Sequence, residues 1–119
     1  MKLQVRTAES VKIIDCSGDI DLYSSTELRE ALLAQMQSGS PGVLVNMTDV
    51  TYVDSSGIAT LVEGLQLSRQ TKTKFALFGM RSNARSVLQL ARLDKVFVIF
   101  DNEAQALLGI PSVQPFGGI

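Results

Sequence analysis

The sequence contains no histidine, and this absence narrows the chemistry open to it. Histidine is the usual general base beside a catalytic serine and the commonest protein ligand of metal ions. A Ser-His-Asp hydrolase is therefore excluded. With one cysteine and no histidine, a zinc site would need carboxylates alone, which is atypical of zinc. We expect no enzymatic activity, no bound metal and no cofactor.

Two other kinds of reactive site are also missing. Cys16 is the single cysteine, so it has no disulfide partner within the chain, and its alternation with Ile14 predicts a core position. The chain has neither a G-x-x-x-x-G-K-[ST] loop nor a G-x-G-x-x-G segment after a strand, the two commonest glycine-based nucleotide motifs. If this chain handles phosphate, we expect it to be the acceptor.

The sequence also lacks a large excess of one charge and long apolar runs. Eleven basic and twelve acidic residues give a formal net charge of −1, so the basic excess of nucleic-acid-binding domains is absent. The N-terminus alternates apolar with polar residues, and no later run is long enough to span a bilayer. We therefore expect a cytoplasmic protein with no nucleic-acid partner and no membrane insertion.

The apolar pattern alternates between strand and helix periods. It predicts strands at 3–5, 11–16, 43–47, 75–78 and 96–100, and helices at 24–39, 54–71, 82–91 and 101–108. The polar connection at 7–10 predicts an antiparallel hairpin, and the alternating remainder predicts a parallel sheet. We predict one α/β domain over 1–110, with a mixed, mostly parallel sheet of about five strands and about four helices, whose first strand is antiparallel. A flexible tail is predicted over 111–119.

Local signals refine these predictions at the helices. Ser24 and Glu27 have the spacing of a capping box at the start of the first helix. Gly64 lies within the second helix, where glycine costs about 1 kcal/mol relative to alanine. That cost indicates a close approach at Gly64, either tight packing inside the domain, which we favour, or contact with a partner.

The segment Asp54-Ser55-Ser56-Gly57 places two hydroxyls and a carboxylate where a predicted strand meets a helix. Unpaired N–H groups and the helix dipole favour an anion at such a helix start. The simplest interpretation is that Ser55 and Ser56 cap the helix. However, Ile58 and Ala59 stand three residues later, where a capping box needs Glu or Gln. A phosphoacceptor role therefore remains open.

Two segments resemble the STAS domain family of bacterial anti-sigma factor antagonists, and they occur within the order of strands and helices predicted above. They are Gly18-Asp19-Ile20-Asp21 and Asn46-Met47-Thr48-Asp49-Val50-Thr51-Tyr52-Val53-Asp54-Ser55-Ser56-Gly57-Ile58, and the segment 82–97 is similar to the family's third helix and following strand. The resemblance covers roughly 1–108. It implies that Ser55 is the phosphoacceptor, Ser56 the motif's second hydroxyl, Asp54 the carboxylate before the acceptor, and Asp21 an acid near the same surface.

The resemblance also implies a function and its partners. Such a regulator binds an anti-sigma factor, itself a serine kinase of the histidine-kinase-like ATPase fold, and so frees a sigma factor. Phosphorylation of Ser55 ends the binding, and a metal-dependent serine phosphatase of the PP2C type restores it. We expect a monomer or weak dimer. The expected docking surface and phosphate environment comprise Asp21, Asp54, Ser55, Ser56, Gly57, Ala59, Thr60, Glu63 and Leu67.

Two residues and two other protein classes leave alternatives open. Ala59 stands where the family often has glycine, which affects how closely a partner approaches. Leu67 falls opposite the helix's apolar face, so it is either a partner contact or a residue where the helix frays. A phosphoaspartate receiver has a similar element order, but it needs a lysine after the final strand, and Asp101-Asn102 stand there. An STAS adaptor subunit of a stress-signalling or lipid-transport complex would share both fold and motif.

Overall fold

The computed structural model describes residues 1–113, which form five strands, four α-helices and one 3-10 turn. The strands are β1 (Lys2–Ala8), β2 (Val11–Ile20), β3 (Gly42–Val53), β4 (Lys74–Phe78) and β5 (Ile99–Phe100). The helices are α1 (Ser25–Met36), α2 (Ser55–Thr71), α3 (Ser82–Leu90) and α4 (Glu103–Gly109), followed by the 3-10 turn Ile110–Ser112.

The five strands form one mixed sheet in the order β1-β2-β3-β4-β5. β1 is antiparallel to β2, and every later neighbouring pair is parallel. The predicted fold class is therefore confirmed. The receiver alternative is wrong, because a receiver's parallel sheet has the order 2-1-3-4-5.

The three crossover helices cover one face of the sheet. Sequential parallel strands advance in one direction, and right-handed crossovers then place all their helices on the same side. The larger core lies between the sheet and α1, α2 and α3. Within it, a Cβ added at Gly64 would lie 3.2 Å from both Leu32 Cδ1 and Phe75 Cζ. The glycine therefore permits tight packing inside the domain, as predicted.

The opposite face is covered by α4 and the 3-10 turn, over a smaller apolar cluster. Arg6 of β1 connects this helix to the sheet. Its Nε donates to Asp15 Oδ2 at 2.7 Å, and its guanidinium also hydrogen-bonds and ion-pairs with Glu103 at the start of α4. Asn46 Nδ2 donates to Asp15 Oδ1 at 2.8 Å, so the cluster joins three strands and one helix.

Several features of the elements differ from the prediction. β1, β2 and β3 are longer than predicted, and three further differences have identifiable reasons. β5 is only Ile99–Phe100, because the chain turns before it, with Val96 N–H donating to the Leu93 carbonyl. The capping box is wrong: Ser24 precedes α1 but makes no side-chain cap hydrogen bond. At the start of the predicted tail, the chain forms the 3-10 turn, and Val113 after it is buried. Positions 114–119 lie outside the described residues.

Candidate functional site

Helix α2 begins with Asp54 as its N-cap. Asp54 has an extended backbone conformation, and its Oδ1 accepts hydrogen bonds from Ser56 N at 2.9 Å and Gly57 N at 3.1 Å. The carboxylate thus satisfies two of the N–H groups that a helix leaves unpaired at its start. The cap is therefore Asp54, and the interpretation of Ser55 and Ser56 as capping residues is wrong.

Ser55 is the first residue of α2 and is exposed. Within residues 1–113 its hydroxyl makes no hydrogen bond, since the capping role has passed to Asp54. Ser56 is half-buried, and its carbonyl accepts a hydrogen bond from Thr60 Oγ1 at 3.0 Å. Of the two motif hydroxyls, Ser55 is the more accessible to an enzyme that approaches from solvent.

Gly57 brings the helix start against the sheet. It is buried, and an added Cβ would lie 2.8 Å from both the Ile20 carbonyl oxygen and Val53 Cγ1. Such a distance is closer than side-chain atoms normally approach the backbone. The glycine therefore serves packing, and it holds Ser55 beside the ends of β2 and β3.

The ends of these two strands bring Asp21 beside Asp54. Ile20 pairs with Val53 in parallel register, and Asp54 N–H donates to the Ile20 carbonyl at 3.1 Å. Neighbouring strands lie about 4.8 Å apart, so the residues that follow them share one sheet edge. This edge carries the Asp21 and Asp54 carboxylates and the Ser55 hydroxyl. A phosphate on Ser55 would therefore add negative charge beside two negative carboxylates.

Asp21 closes a turn between β2 and α1. Its Oδ1 accepts hydrogen bonds from Tyr23 N at 3.0 Å, Ser24 N at 3.1 Å and Ser24 Oγ at 3.2 Å. The Ser24 backbone N–H is the main cause of the lowered pKa of Asp21; desolvation opposes it, and the Ser24 hydroxyl and Tyr23 N–H lower the pKa further. The carboxylate is therefore ionised at neutral pH.

The outer face of α2 extends away from Ser55 through Ala59, Glu63 and Leu67, each four residues apart. Ala59 is exposed, whereas Glu63 and Leu67 are partly exposed. Glu63 Oε2 lies 2.8 Å from Arg29 Nε of α1. Leu67 is part of a groove of about 290 Å³ between α1 and α2, and it packs against the edge of the main core.

Thr60 does not share that face. It is 1% exposed, and its hydroxyl donates within the helix to Ser56. Its place in the sequence is only one residue from Ala59, but successive helix positions are turned by about 100°. Thr60 is therefore not part of the docking surface, contrary to the prediction, because its side chain packs inward.

Three exposed apolar residues at the same sheet edge were not predicted. Leu22 and Tyr23 lie in the turn closed by Asp21 and are 67% and 92% exposed, and Tyr52 near the end of β3 is 52% exposed. A sequence signal did exist, since Leu22 and Tyr23 are two large apolar residues between turn and capping residues, where polar side chains are usual.

The remaining reactive groups offer no second centre in the described part of the chain. Burial is the main cause that raises the pKa of the Cys16 thiol to about 12, so it stays protonated. Residues 1–113 hold no group of three or more His, Cys, Asp or Glu side chains placed to bind a metal ion. None of the helices in this part of the chain has both the length and the apolar character needed to cross a membrane.

Nearly the whole chain matches one family of domains. The model of the STAS domain matches residues 2–106. The chain is 26% identical over 95 residues to the anti-sigma-B factor antagonist of Staphylococcus aureus, which covers 78% of this chain and 88% of that protein. It is 23% identical over 105 residues to the anti-sigma-B factor antagonist of Listeria monocytogenes, with 88% and 91% covered.

Solved structures share the fold. An anti-sigma-factor antagonist (STAS) domain protein from Planctomyces limnophilus matches with a TM-score of 0.81 at 24% identity, covering 92% of this chain and 97% of that one. The anti-sigma factor antagonist SpoIIAA in its unphosphorylated form matches with a TM-score of 0.80 at 16% identity, covering 94% and 98%. The Bacillus cell fate determinant SpoIIAA in its phosphorylated form matches with a TM-score of 0.70 at 17% identity, covering 89% and 96%. Because the family model spans almost the full length, this chain belongs to the STAS domain family.

Proposed function

We propose that this protein is an anti-sigma factor antagonist that acts without enzymatic activity of its own. It binds a cytoplasmic anti-sigma factor serine kinase and thereby releases a sigma factor. The observation that carries this proposal is the exposed Ser55 hydroxyl, which makes no hydrogen bond within the described residues beside the cap at Asp54. The names of the curated relatives support the same class of regulator.

Phosphorylation of Ser55 is the proposed off switch. A phosphoserine adds about −1.5 to −2 charges at pH 7. Asp54 already occupies two N–H groups of the helix start, so the phosphate adds to the Asp21 and Asp54 charges without replacing them. Like-charge contacts at an interface cost several kcal/mol. A penalty of about 3 kcal/mol would weaken binding of the kinase roughly a hundredfold.

Reversal of the switch needs a second partner. A PP2C-type serine phosphatase that removes the phosphate would restore the neutral hydroxyl and hence the binding of the kinase. The exposure of Ser55 supports access by both enzymes.

The direct test is to incubate the purified protein with ATP and the serine kinase encoded nearest to it. We expect mass spectrometry to place one phosphate on Ser55, and Ser55→Ala to abolish it. Ser56→Ala is the matched control, because it removes the neighbouring half-buried hydroxyl but leaves the Asp54 cap. Absence of phosphate on this peptide with every candidate kinase, with normal signalling by Ser55→Ala and Ser55→Asp, would favour an STAS adaptor subunit instead.

The proposed docking surface can be tested separately. Glu63→Lys and Leu67→Lys each place a positive charge on the outer face of α2, whereas Gln105→Lys places one on α4 at the opposite face of the sheet. We expect the two α2 variants, but not the α4 variant, to weaken binding of the kinase. Unchanged binding by both α2 variants would remove this face from the interface.

A further inference from the structure

Strand β1 forms an open edge of the sheet. It lies at one end of the strand order and, within residues 1–113, pairs with β2 alone. The other edge strand, β5, has only two residues, whereas β1 has seven. Proteins usually protect long edges with proline, bulges or charges, because unpaired backbone groups recruit another strand. β1 contains no proline, and its register with β2 is continuous.

The hairpin turn fixes which backbone groups of β1 are free. Glu9 and Ser10 both have positive φ, 52° and 70°, and they connect the paired residues Ala8 and Val11. The pair that closes such a two-residue turn exchanges both of its hydrogen bonds, and hydrogen-bonded pairs alternate with non-hydrogen-bonded pairs along an antiparallel ladder. The backbone N–H and C=O groups therefore point away from β2 at three positions of β1, which are Leu3, Val5 and Thr7.

The middle of this edge is apolar, and the charge beside it is already paired. Val5, at the centre of β1, is 38% exposed. Arg6 follows on the opposite face of the strand, where Asp15 and Glu103 bind its guanidinium. The positive charge that would repel a second basic strand is therefore partly neutralised.

The sequence of β1 is complementary to an antiparallel copy of itself in one register. A register shifted by two residues in one direction sets Lys2 opposite Arg6 of the second copy, and a shift in the other direction sets Arg6 opposite Arg6. Like charges directly opposite each other destabilise a strand pair. The register centred on Val5 avoids both, and its opposite pairs are Val5 with Val5, Gln4 with Arg6, Leu3 with Thr7 and Lys2 with Ala8.

Pairing in this register would stop at two copies. The two strands are related by a two-fold axis, so each copy uses the same edge and the assembly is closed. The edges left on the joined sheet are the two-residue β5 strands. Strand direction reverses between the copies, so the two Ser55 sites, which follow the ends of β2 and β3, lie at opposite ends of the dimer.

We propose that this protein forms a dimer by antiparallel pairing of β1 with β1 of a second copy, centred on Val5. Each outward-facing pair exchanges two backbone hydrogen bonds, and the two Val5 side chains contact each other across the axis. The dimer is weak, because one strand pair buries less surface than a standard interface of about 1,600 Å². Both Ser55 sites stay open, so the dimer neither depends on the proposed function nor competes with it.

Cysteine cross-linking tests the register. The Cα atoms of a hydrogen-bonded antiparallel pair lie about 5.5 Å apart, which is within disulfide range. We expect Val5→Cys to form a covalent dimer under mild oxidation, as seen on a non-reducing gel. Thr7→Cys is the matched control, since Thr7 is exposed on the same face of β1, but the two Thr7 positions would lie about 14 Å apart. No cross-link at Val5, or equal cross-linking at both positions, would overturn the proposal.

Sedimentation tests the dimer without cross-linking. We expect the wild type to show a concentration-dependent dimer below about 1 mM, and Val5→Lys to dimerise about tenfold or more weakly, because it sets two like charges opposite each other at the axis. Leu90→Lys changes an 86% exposed leucine of α3 and should dimerise as the wild type does. A monomeric wild type at this concentration, or an equally strong dimer of Val5→Lys, would overturn the proposal. Should Val5→Lys melt at a lower temperature than the wild type, the cross-linking pair decides.

The outcomes separate the dimer from the proposed function. We expect Val5→Lys to be phosphorylated on Ser55 as fully as the wild type. A monomeric wild type that is phosphorylated on Ser55 would overturn the dimer and leave the proposed function standing. A wild-type dimer that no candidate kinase binds or phosphorylates would overturn the function and leave the dimer standing. A monomeric wild type whose kinase binding is lost in Val5→Lys would assign the β1 edge to the kinase and overturn the dimer.

Discussion

The Asp54 carboxylate links the fold of the site to its proposed switch. Asp and Ser both cap helices well, so local preference could not select among the three side chains of Asp54-Ser55-Ser56. The pairing of Ile20 with Val53 and the hydrogen bond from Asp54 N–H to Ile20 place Asp54 in an extended conformation just before the helix. Ser55 is then the first residue of the helix, and its hydroxyl does not act as the cap.

Substitution of Asp54 should separate its capping role from its charge. Asp54→Ala removes the acceptor for Ser56 and Gly57 N–H groups, and we expect it to lower the free energy of unfolding by about 1 kcal/mol in urea denaturation. Asp54→Asn keeps an acceptor oxygen and should retain most of that stability. Equal losses in the two variants would show that charge, not capping, is what Asp54 contributes.

The two buried glycines of α2 should differ in their tolerance of alanine. At Gly57 an added Cβ meets the Ile20 backbone at 2.8 Å, whereas at Gly64 it meets two side-chain ends at 3.2 Å. Backbone yields less than side chains, so we expect Gly57→Ala to lower the free energy of unfolding by about 1–3 kcal/mol and Gly64→Ala to lower it less. A larger loss at Gly64 in the same denaturation series would contradict this ranking.

At the scale of elements, α4 is the helix whose attachment depends most visibly on charge. It is the single α-helix over the smaller core on its face of the sheet in residues 1–113, and its first residue, Glu103, binds Arg6 of β1. The hydrogen bond from Arg6 is the main cause of the lowered pKa of Glu103, and burial opposes it. Stability from this contact is therefore present above the ordinary glutamate pKa and is lost as pH falls through the lowered value.

The Glu103→Gln variant should reveal this dependence. We expect its melting temperature to fall below that of the wild type at pH 7, and the difference to shrink below about pH 4 as Glu103 becomes protonated in the wild type. The exposed Glu30 of α1 provides the matched control, Glu30→Gln. A difference that stays constant between pH 7 and pH 3 would show that the ion pair with Arg6 contributes nothing.

At the scale of the whole molecule, the proposed switch requires no rearrangement of the sheet. Ser55 lies at an edge where β2, β3 and α2 meet, and the Asp54 cap occupies the N–H groups that a phosphate would otherwise use. We therefore attribute the proposed effect of phosphorylation to added charge at the proposed docking surface.

Phosphorylation should accordingly leave the fold intact. We expect the Ser55 phosphoprotein and the unmodified protein to have the same far-ultraviolet circular dichroism and melting temperatures within a few degrees. Amide chemical shifts should change near residues 19–24 and 52–60 and remain constant at α4. Shifts spread across the sheet would show that the phosphate acts by a conformational change.

The sequence by itself determined the element order, the antiparallel first strand, the core role of Cys16 and the position of Asp54-Ser55-Ser56-Gly57 between a strand and a helix. These follow from hydrophobic periodicity and turn residues, which act over a few neighbouring positions. Only the tertiary structure decided that Asp54 is the cap, that Thr60 packs inward and that Leu22, Tyr23 and Tyr52 share an edge with Ser55. Each of these depends on contacts between residues far apart in the chain, so local pattern could not reveal it.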